Sequence, residues 1–408
     1  MKRRVCIVTA GSVASTPRAV RAADALHAAG YAVRVVDADY APWSRPLADQ
    51  LAASRPWPLT TVRWLRDRHP AQFWATRVRH RACRATARPW LGLAALAAAQ
   101  SRVGPELVRA VAAEPTDLVY AGTAGGLAVG VLAAGRLGVP YALDLEDFHS
   151  EEQPPGAEVA DRRMEWIERR VLGGAAFVTA GSGPIADAVA AKYGVRPFPV
   201  HNLEQLPAPP AFDRTEPGRL RLLWFGQTVG SGRGLEQVVA AAERAGRAVR
   251  IGLFGHSTRF VDELLALGRE AGPTLAVDWL GVCRSDELVT ACRKWDVGLA
   301  VEPGFSVNNG LALSNKLCTY LAAGLALAAT RTRGQLTVAP AVGDDALWYD
   351  PDRPDLLADG LRRWADDPAA LLRAKQASWA AARSRWHWDH PLEKGALLAA
   401  VEKTIGTP

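Results

Sequence analysis

The sequence predicts an α/β protein of two Rossmann-like β/α/β domains facing across a cleft, and three observations carry that prediction. A strand, a glycine loop, a helix and a second strand open the chain, the same order recurs from residue 219, and a proline-rich charged stretch separates the two. The chain has 408 residues and 49% apolar content. Single cores stop growing near about 250 to 300 residues, so two domains are the expectation.

The first copy reads as a strand over 5–9, a Gly/Ser loop over 11–15, Pro17 at a first helical position, an alanine-rich helix to Gly30, and a strand over 32–36. Further strands are readable over 117–122, 140–146 and 175–181, with helical segments between them. Strands alternating with helices imply a parallel sheet covered on both faces. The second copy opens with "RLRLLWFGQTVGSGRGLEQVVAAAERAG" (219–246) and continues through strands in "AVRIGLFG", "TLAVDWLG", "WDVGLAVE" and "LALAAT" to a long Ala/Arg/Trp-rich helical tail over 367–405. Between the copies, 201–219 is rich in proline and charge, which is linker composition. The expected division is a first domain over 1–203, a linker over 204–217, a second domain over 218–380, and a final helix over 381–408 packing back toward the first domain. Open α/β sheets bind ligands beyond the carboxyl ends of their strands, so the site is expected in the cleft.

The net charge of +7 is concentrated: residues 63–88 hold eight Arg and one Asp, leaving 41 basic and 41 acidic residues elsewhere. Trp64, Phe73, Trp74 and Val78 are interleaved with those arginines. Such a basic amphipathic segment can rest on an anionic lipid surface or meet an acidic acceptor; the plainer alternative is a solvated face whose aromatics pack on the first domain. Five scattered cysteines without a Cys-x-x-Cys spacing suggest neither a disulfide framework nor a zinc site. The apolar N-terminal run is too short for a signal-peptide core, and no apolar run reaches the roughly 20 residues that span a bilayer. A cytoplasmic chain is expected. No fold motif for nucleic-acid binding is present, and the oligomeric state is not legible.

Three features of the second copy point to an anion. Gly226, Gly230, Gly232 and Gly234 follow a strand and precede a helix, where small residues let backbone N–H groups approach phosphate oxygens; Arg233 is the charge among them. The alternative is a tight turn. Ser314 stands at an N-cap position, with Asn315 and Lys316 in the first turn and Leu317, Tyr320 and Leu321 at apolar helical spacing. A lysine at the positive end of a helix dipole is unfavourable for the helix alone, and an anion between them removes the conflict; a solvated surface lysine is the alternative. Glu302 ends a strand at the expected cleft, either as a ligand-binding or as an ordinary strand-end carboxylate.

The stretch "DVGLAVEPGFSVNNGLALSNKLCTYLAAG" (296–324) resembles the donor-binding segment of retaining glycosyltransferases of the GT-B fold, family 4. "FGQTVGSGRGLEQVV" is similar to that family's glycine loop, with Gln227 and Arg233 at its two basic positions, and "YALDLEDFHSEE" to its acidic segment in the first domain. The resemblance implies a nucleotide diphosphate sugar as co-substrate, with UDP or GDP as the nucleotide and no cofactor. Gly226, Gln227, Arg233, Asn315 and Lys316 would then hold the diphosphate. Glu302, Asn308 and Asn309 would meet the sugar, and Thr319 stands where many relatives carry a second glutamate that reaches the ribose. Glu146 stands at the family's first-domain histidine, Asp147 at the acid that follows, and His149 either takes over the histidine's role or is coincidental. Gly11, Ser12, Ser15, Arg18 and Thr123, on loops after two strands, would meet a small-molecule acceptor; for the glycine the alternative is a close turn. Asp37-Ala-Asp39 matches the metal-binding Asp-x-Asp pattern, but it ends the second strand of such a domain and the pattern is short, so no metal is expected.

The resulting expectation is a metal-independent enzyme moving a hexose-like sugar, with retention, in specialised metabolism. The alternatives are a sugar-nucleotide epimerase or hydrolase of the same fold, and a non-catalytic sugar-nucleotide-binding relative.

Overall fold

The computed structural model describes residues 2–39, 45–157, 159–212 and 219–408. They group into two compact units: the chain up to His201 with 306–308 and 391–408, and 202–305 with 309–390. Residues 213–217 of the expected linker lie outside the described residues.

The first unit is built on a seven-stranded sheet. Its strands are β1 (Arg4–Thr9), β2 (Ala32–Asp39), β3 (Leu59–Arg63), β4 (Leu118–Gly122), β5 (Tyr141–Leu145), β6 (Val178–Ala180) and β7 (Phe198–Pro199), in the order β3-β2-β1-β4-β5-β6-β7. Every pairing is parallel. Helices cover both faces, which is why β1 and β2 read as near-continuous Val/Ile runs and are buried along almost their whole length. The strand order reverses between β1 and β4. Thr9 pairs with Gly122, and Gly122 with Asp144, so the chain leaves β1, β4 and β5 at one level. Ala10, Thr123 and Glu146 are thereby brought to one end of the sheet, at the switch point where such sheets bind ligands.

The second unit repeats the plan with six parallel strands: β8 (Leu220–Thr228), β9 (Val249–His256), β10 (Leu275–Trp279), β11 (Val297–Ala300), β12 (Ala326–Thr330) and β13 (Leu347–Tyr349), ordered β10-β9-β8-β11-β12-β13. Its switch point lies between β8 and β11. Leu222, Leu253, Val297 and Leu299 of the sheet pack with Val238, Leu264, Leu361 and Trp364 of the helices in one buried core.

The sequence reading missed β3, β7 and β13, none of which holds a run of four apolar residues within its bounds. The tail expected as one long helix is two, Pro368–Ser384 and Ala396–Ile405. Arg385 leaves helical backbone, Trp386 and Trp388 turn inward and are buried, and Pro391 has no N–H to continue the ladder. Ala396–Ile405 packs on the helix Pro17–Ala28, and Tyr31 Oη donates to the Gly406 carbonyl at 3.0 Å.

One glycine fixes the geometry of the second unit. A Cβ on Gly298 in β11 would lie 2.2 Å from the ring of Tyr320, which is fully buried on the helix Asn315–Ala323 and donates from its hydroxyl to the Leu223 carbonyl at 2.9 Å. That helix lies against the sheet because position 298 has no side chain. Gly298→Ala is expected to cost about 1 to 3 kcal/mol by overpacking, lowering the melting temperature of this unit by roughly 2 to 10 °C; an unchanged melting temperature would contradict the contact.

Candidate functional site

At the carboxyl end of β11 the second unit assembles a charged cluster around Glu302. The carboxylate Oε1 accepts from Lys316 Nζ at 2.7 Å and from Ser314 Oγ at 2.8 Å, and Oε2 accepts from Asn309 Nδ2 at 3.2 Å. The Glu302 backbone is clamped as well: its N–H donates to Thr330 Oγ1 at 2.9 Å and its carbonyl accepts from the same hydroxyl at 2.9 Å, while Gln335 Nε2 donates to that hydroxyl at 2.8 Å. Burial alone would raise the Glu302 carboxyl, but the Lys316 charge and the three hydrogen bonds outweigh it and hold it below its ordinary value. Lys316 also lies over the Trp224 ring, 5.4 Å from its centroid.

Two details follow at the helix start. The anion beside Lys316 at the helix N-terminus is, in this structure, the chain's own Glu302. Ser314 occupies the N-cap position, but its hydroxyl donates to Glu302 and does not accept from the helix, so the first turn of Asn315–Ala323 has no side-chain cap.

The glycine loop borders the same cluster. Gly234 has φ +78°, and a Cβ there would stand 3.3 Å from Val301, next to Glu302. Gly226 packs against Trp224, Gln227 and Asn315 are exposed, and Arg233 is exposed without an ion pair or hydrogen bond among the described residues. Thr319, where the resemblance implies a missing carboxylate, has one beside it. Its Oγ1 donates to Glu204 Oε1 at 3.0 Å, and the Glu204 carbonyl accepts from Trp388 N at 2.8 Å. Glu204 is a residue that the sequence reading missed, because no local pattern ties positions 115 apart in the chain.

In the first unit, Gly11, Ser15, Thr123 and Glu146 line one cavity of about 520 Å³, together with Trp64, Phe73 and Arg102. Thr123 has φ +67°, and no other described residue besides glycine has a positive φ. A β-branched residue is strained there, and its hydroxyl holds the turn by accepting from Ala10 N at 3.1 Å. Ser12 and Arg18 are buried elsewhere. Ser12 accepts from Ser15 N and Oγ through its carbonyl at 3.0 and 2.7 Å. Arg18 donates from Nε to Asp144 Oδ2 at 3.0 Å and from Nη1 to the Val200 carbonyl, while Thr179 Oγ1 donates to Asp144 at 2.6 Å.

Glu146, Asp147 and His149 follow β5 as a charged run. Burial, with Asp147 and Asp144 nearby, raises the Glu146 carboxyl to about 7 despite Arg18. Burial also raises Asp147, which accepts from Asn308 Nδ2 at 2.9 Å, and Asn308 Oδ1 accepts from Phe148 N at 2.7 Å. The two asparagines expected at the sugar are thus divided: Asn308 bonds to the 147–148 segment and Asn309 to Glu302. For His149, burial favours the neutral ring, but the hydrogen bond and charge of Glu152 and the charges of Asp147 and Glu168 raise it to about 9. Asp37 Oδ2 accepts from Val13 N at 2.9 Å, and Asp39 pairs with Arg45 at 3.4 Å, so both carboxylates of the Asp-x-Asp stretch have partners within the unit. On the Arg-rich helix Pro70–Thr86, Arg79 pairs with Glu106 at 2.6 Å, whereas Trp74 is 49% exposed with Arg66 and Arg77 over its ring.

Two parallel Rossmann-like sheets with these switch points define the GT-B class. HepE of Anabaena, in complex with UDP and glucose, superposes with a TM-score of 0.64 at 13% identity over 100% of both chains. A glycosyltransferase from Rickettsia africae gives 0.63 at 11% over 100% of both, and sucrose-phosphate synthase from Thermosynechococcus elongatus 0.67 at 14% over 98% of both. No curated protein sequence matches the chain. Residues 14–204 match the glycosyl transferase 4-like domain family, and the protein is a glycosyltransferase.

The His149 pair has a defined pH signature. Its ring value rises from the ordinary 6.5 to about 9, so its contribution to stability is full below pH 6.5 and is lost as the pH rises through about 9. The wild-type melting temperature should fall between pH 6.5 and about 9.5 by more than that of His149→Gln, which has no proton to lose there; parallel curves would refute a charged, stabilising His149.

Proposed function

We propose that the protein transfers a hexose-like sugar from a nucleoside diphosphate sugar, with UDP or GDP as the nucleotide, to a small-molecule acceptor, with retention and without a metal. The observation that carries this reading is the Glu302–Lys316–Ser314–Asn309 cluster at an uncapped helix N-terminus, bordered by a glycine loop whose Arg233 has no counter-charge among the described residues. Breaking the bond from the anomeric carbon to the phosphate oxygen leaves the electron pair on the diphosphate. Lys316, Arg233 and the first-turn N–H groups are cationic or partly positive donors suited to that developing charge, so a metal is not required for it. Glu302 accepts sugar hydroxyls in this scheme, and the UDP and glucose held by HepE support this donor class. Retention is supported by the likeness to family 4. The Thr319–Glu204 pair receives the ribose diol, with Glu204 supplying the carboxylate that the helix itself lacks. The acceptor enters the first unit's cavity, where Glu146 is the wall's carboxylate and a base for the acceptor proton.

Thermal shift with UDP, GDP, dTDP, ADP and CMP tests the donor site. One diphosphate at about 100 times its Kd should add roughly 2.7 kcal/mol, a shift of about 5 to 10 °C, with or without Mg²⁺. Lys316→Ala should weaken it about 10- to 100-fold. Glu204→Gln should erase a roughly tenfold preference for the ribonucleotide over its 2′-deoxy form. No shift from any diphosphate would defeat the donor assignment, and an unaltered preference in Glu204→Gln would defeat the ribose assignment.

A further inference from the structure

We infer that the first unit's cavity selects a flat, ring-bearing acceptor that carries an anionic group, with Trp64 and Phe73 as walls for the ring and Arg102 as the partner of the anion. This rests on the reading that the cavity is the acceptor site.

The volume of about 520 Å³ is that of a small-molecule pocket. Part of its lining comes from the switch point of the sheet, at Gly11, Thr123 and Glu146. Another part comes from the Arg-rich segment: Trp64, only 3% exposed, directly follows β3, and Phe73 stands in the first turn of Pro70–Thr86. These aromatics give apolar faces suited to a planar ring.

Arg102 is held with unusual completeness for a pocket cation. Its guanidinium stacks over Phe73, 4.2 Å from the ring centroid; Nε donates to Thr76 Oγ1 at 3.0 Å, and Nη2 donates to the Phe73 carbonyl. Nη1 has no partner among the described residues, and no carboxylate pairs with the group. Burial, and after it the charge of Arg77, press it toward the neutral form, and Glu106 is already taken by Arg79 and Arg109. A half-buried guanidinium with fixed orientation, one open edge and no counter-charge lacks an anion. Glu146 is the only carboxylate among the lining residues. The cavity therefore offers a ring-bearing molecule one cation for an acid group and one carboxylate for a hydroxyl.

Calorimetric titration with 4-hydroxybenzoate, its methyl ester, benzylamine and inorganic phosphate tests this in the full-length protein. The acid should bind at least about tenfold more tightly than the ester, Arg102→Gln should remove that difference, Arg102→Lys should restore part of it, and Phe73→Ala should weaken acid and ester alike. Equal affinity of acid and ester for wild type, a result that needs no variant, would overturn the inference. So would tighter binding of benzylamine, or phosphate binding as well as the acid. Unliganded melting temperatures of the variants show whether a loss is only misfolding. If the acid shows the charge preference but neither accepts sugar nor competes with an acceptor, the selectivity stands and the acceptor role falls; if transfer proceeds to acid and ester alike, the acceptor role stands and the selectivity falls.

Discussion

The second unit depends on how a lysine can stand at the positive end of a helix. Lys316 in the first turn of Asn315–Ala323 adds to a partial positive charge that is already there, and Glu302 offsets both from 2.7 Å. Much of the surrounding structure serves that pairing. Thr330 and Gln335 clamp the Glu302 backbone, Ser314 gives its hydroxyl to the carboxylate and not to the helix, and the absent side chain at 298 lets the helix lie close enough for the two charges to meet. On the proposed reading the pair is a holding state. A diphosphate takes over Lys316, and the freed carboxylate oxygens turn to sugar hydroxyls.

The first unit uses the same topology with the opposite charge. The carboxylates Asp144, Glu146 and Asp147 follow one another at the end of β5, and buried Arg18 is the cation they share. That crowding, with burial, brings the ionisation of Glu146 to about pH 7. Thr123, in the left-handed region at the cavity wall, places backbone strain beside these groups, as at many ligand sites.

Much of this was legible in the chain because it is local. The two Rossmann-like openings, the glycine loop and the Ser-Asn-Lys helix start each lie within a few residues, and the strand and helix periods identify them. Glu302 and Lys316 each stood out as candidates in the sequence, yet their pairing did not: a helix N-terminus with a lysine signals a missing anion without saying whether the chain supplies it. The cavity's cation was less visible still. Arg102 reads as one arginine near an Arg-rich stretch, and its stack on Phe73 exists only once the helices fold together. The Thr319–Glu204 contact is the extreme case, since a threonine in place of an acid reads as a loss until the carboxylate from residue 204 is seen against it. The broken tail was missed because tryptophans between two alanine-rich helices do not look like a breaker.

The most direct measurement is the affinity of the product diphosphate for Glu302→Gln, set beside its turnover of the sugar nucleotide. If Glu302 neutralises Lys316 until a diphosphate displaces it, removing that charge frees the lysine: the diphosphate should bind Glu302→Gln as tightly as wild type or more tightly, while sugar transfer collapses. Diphosphate affinity falling in step with turnover would contradict the exchange of partners and make the ion pair a structural brace.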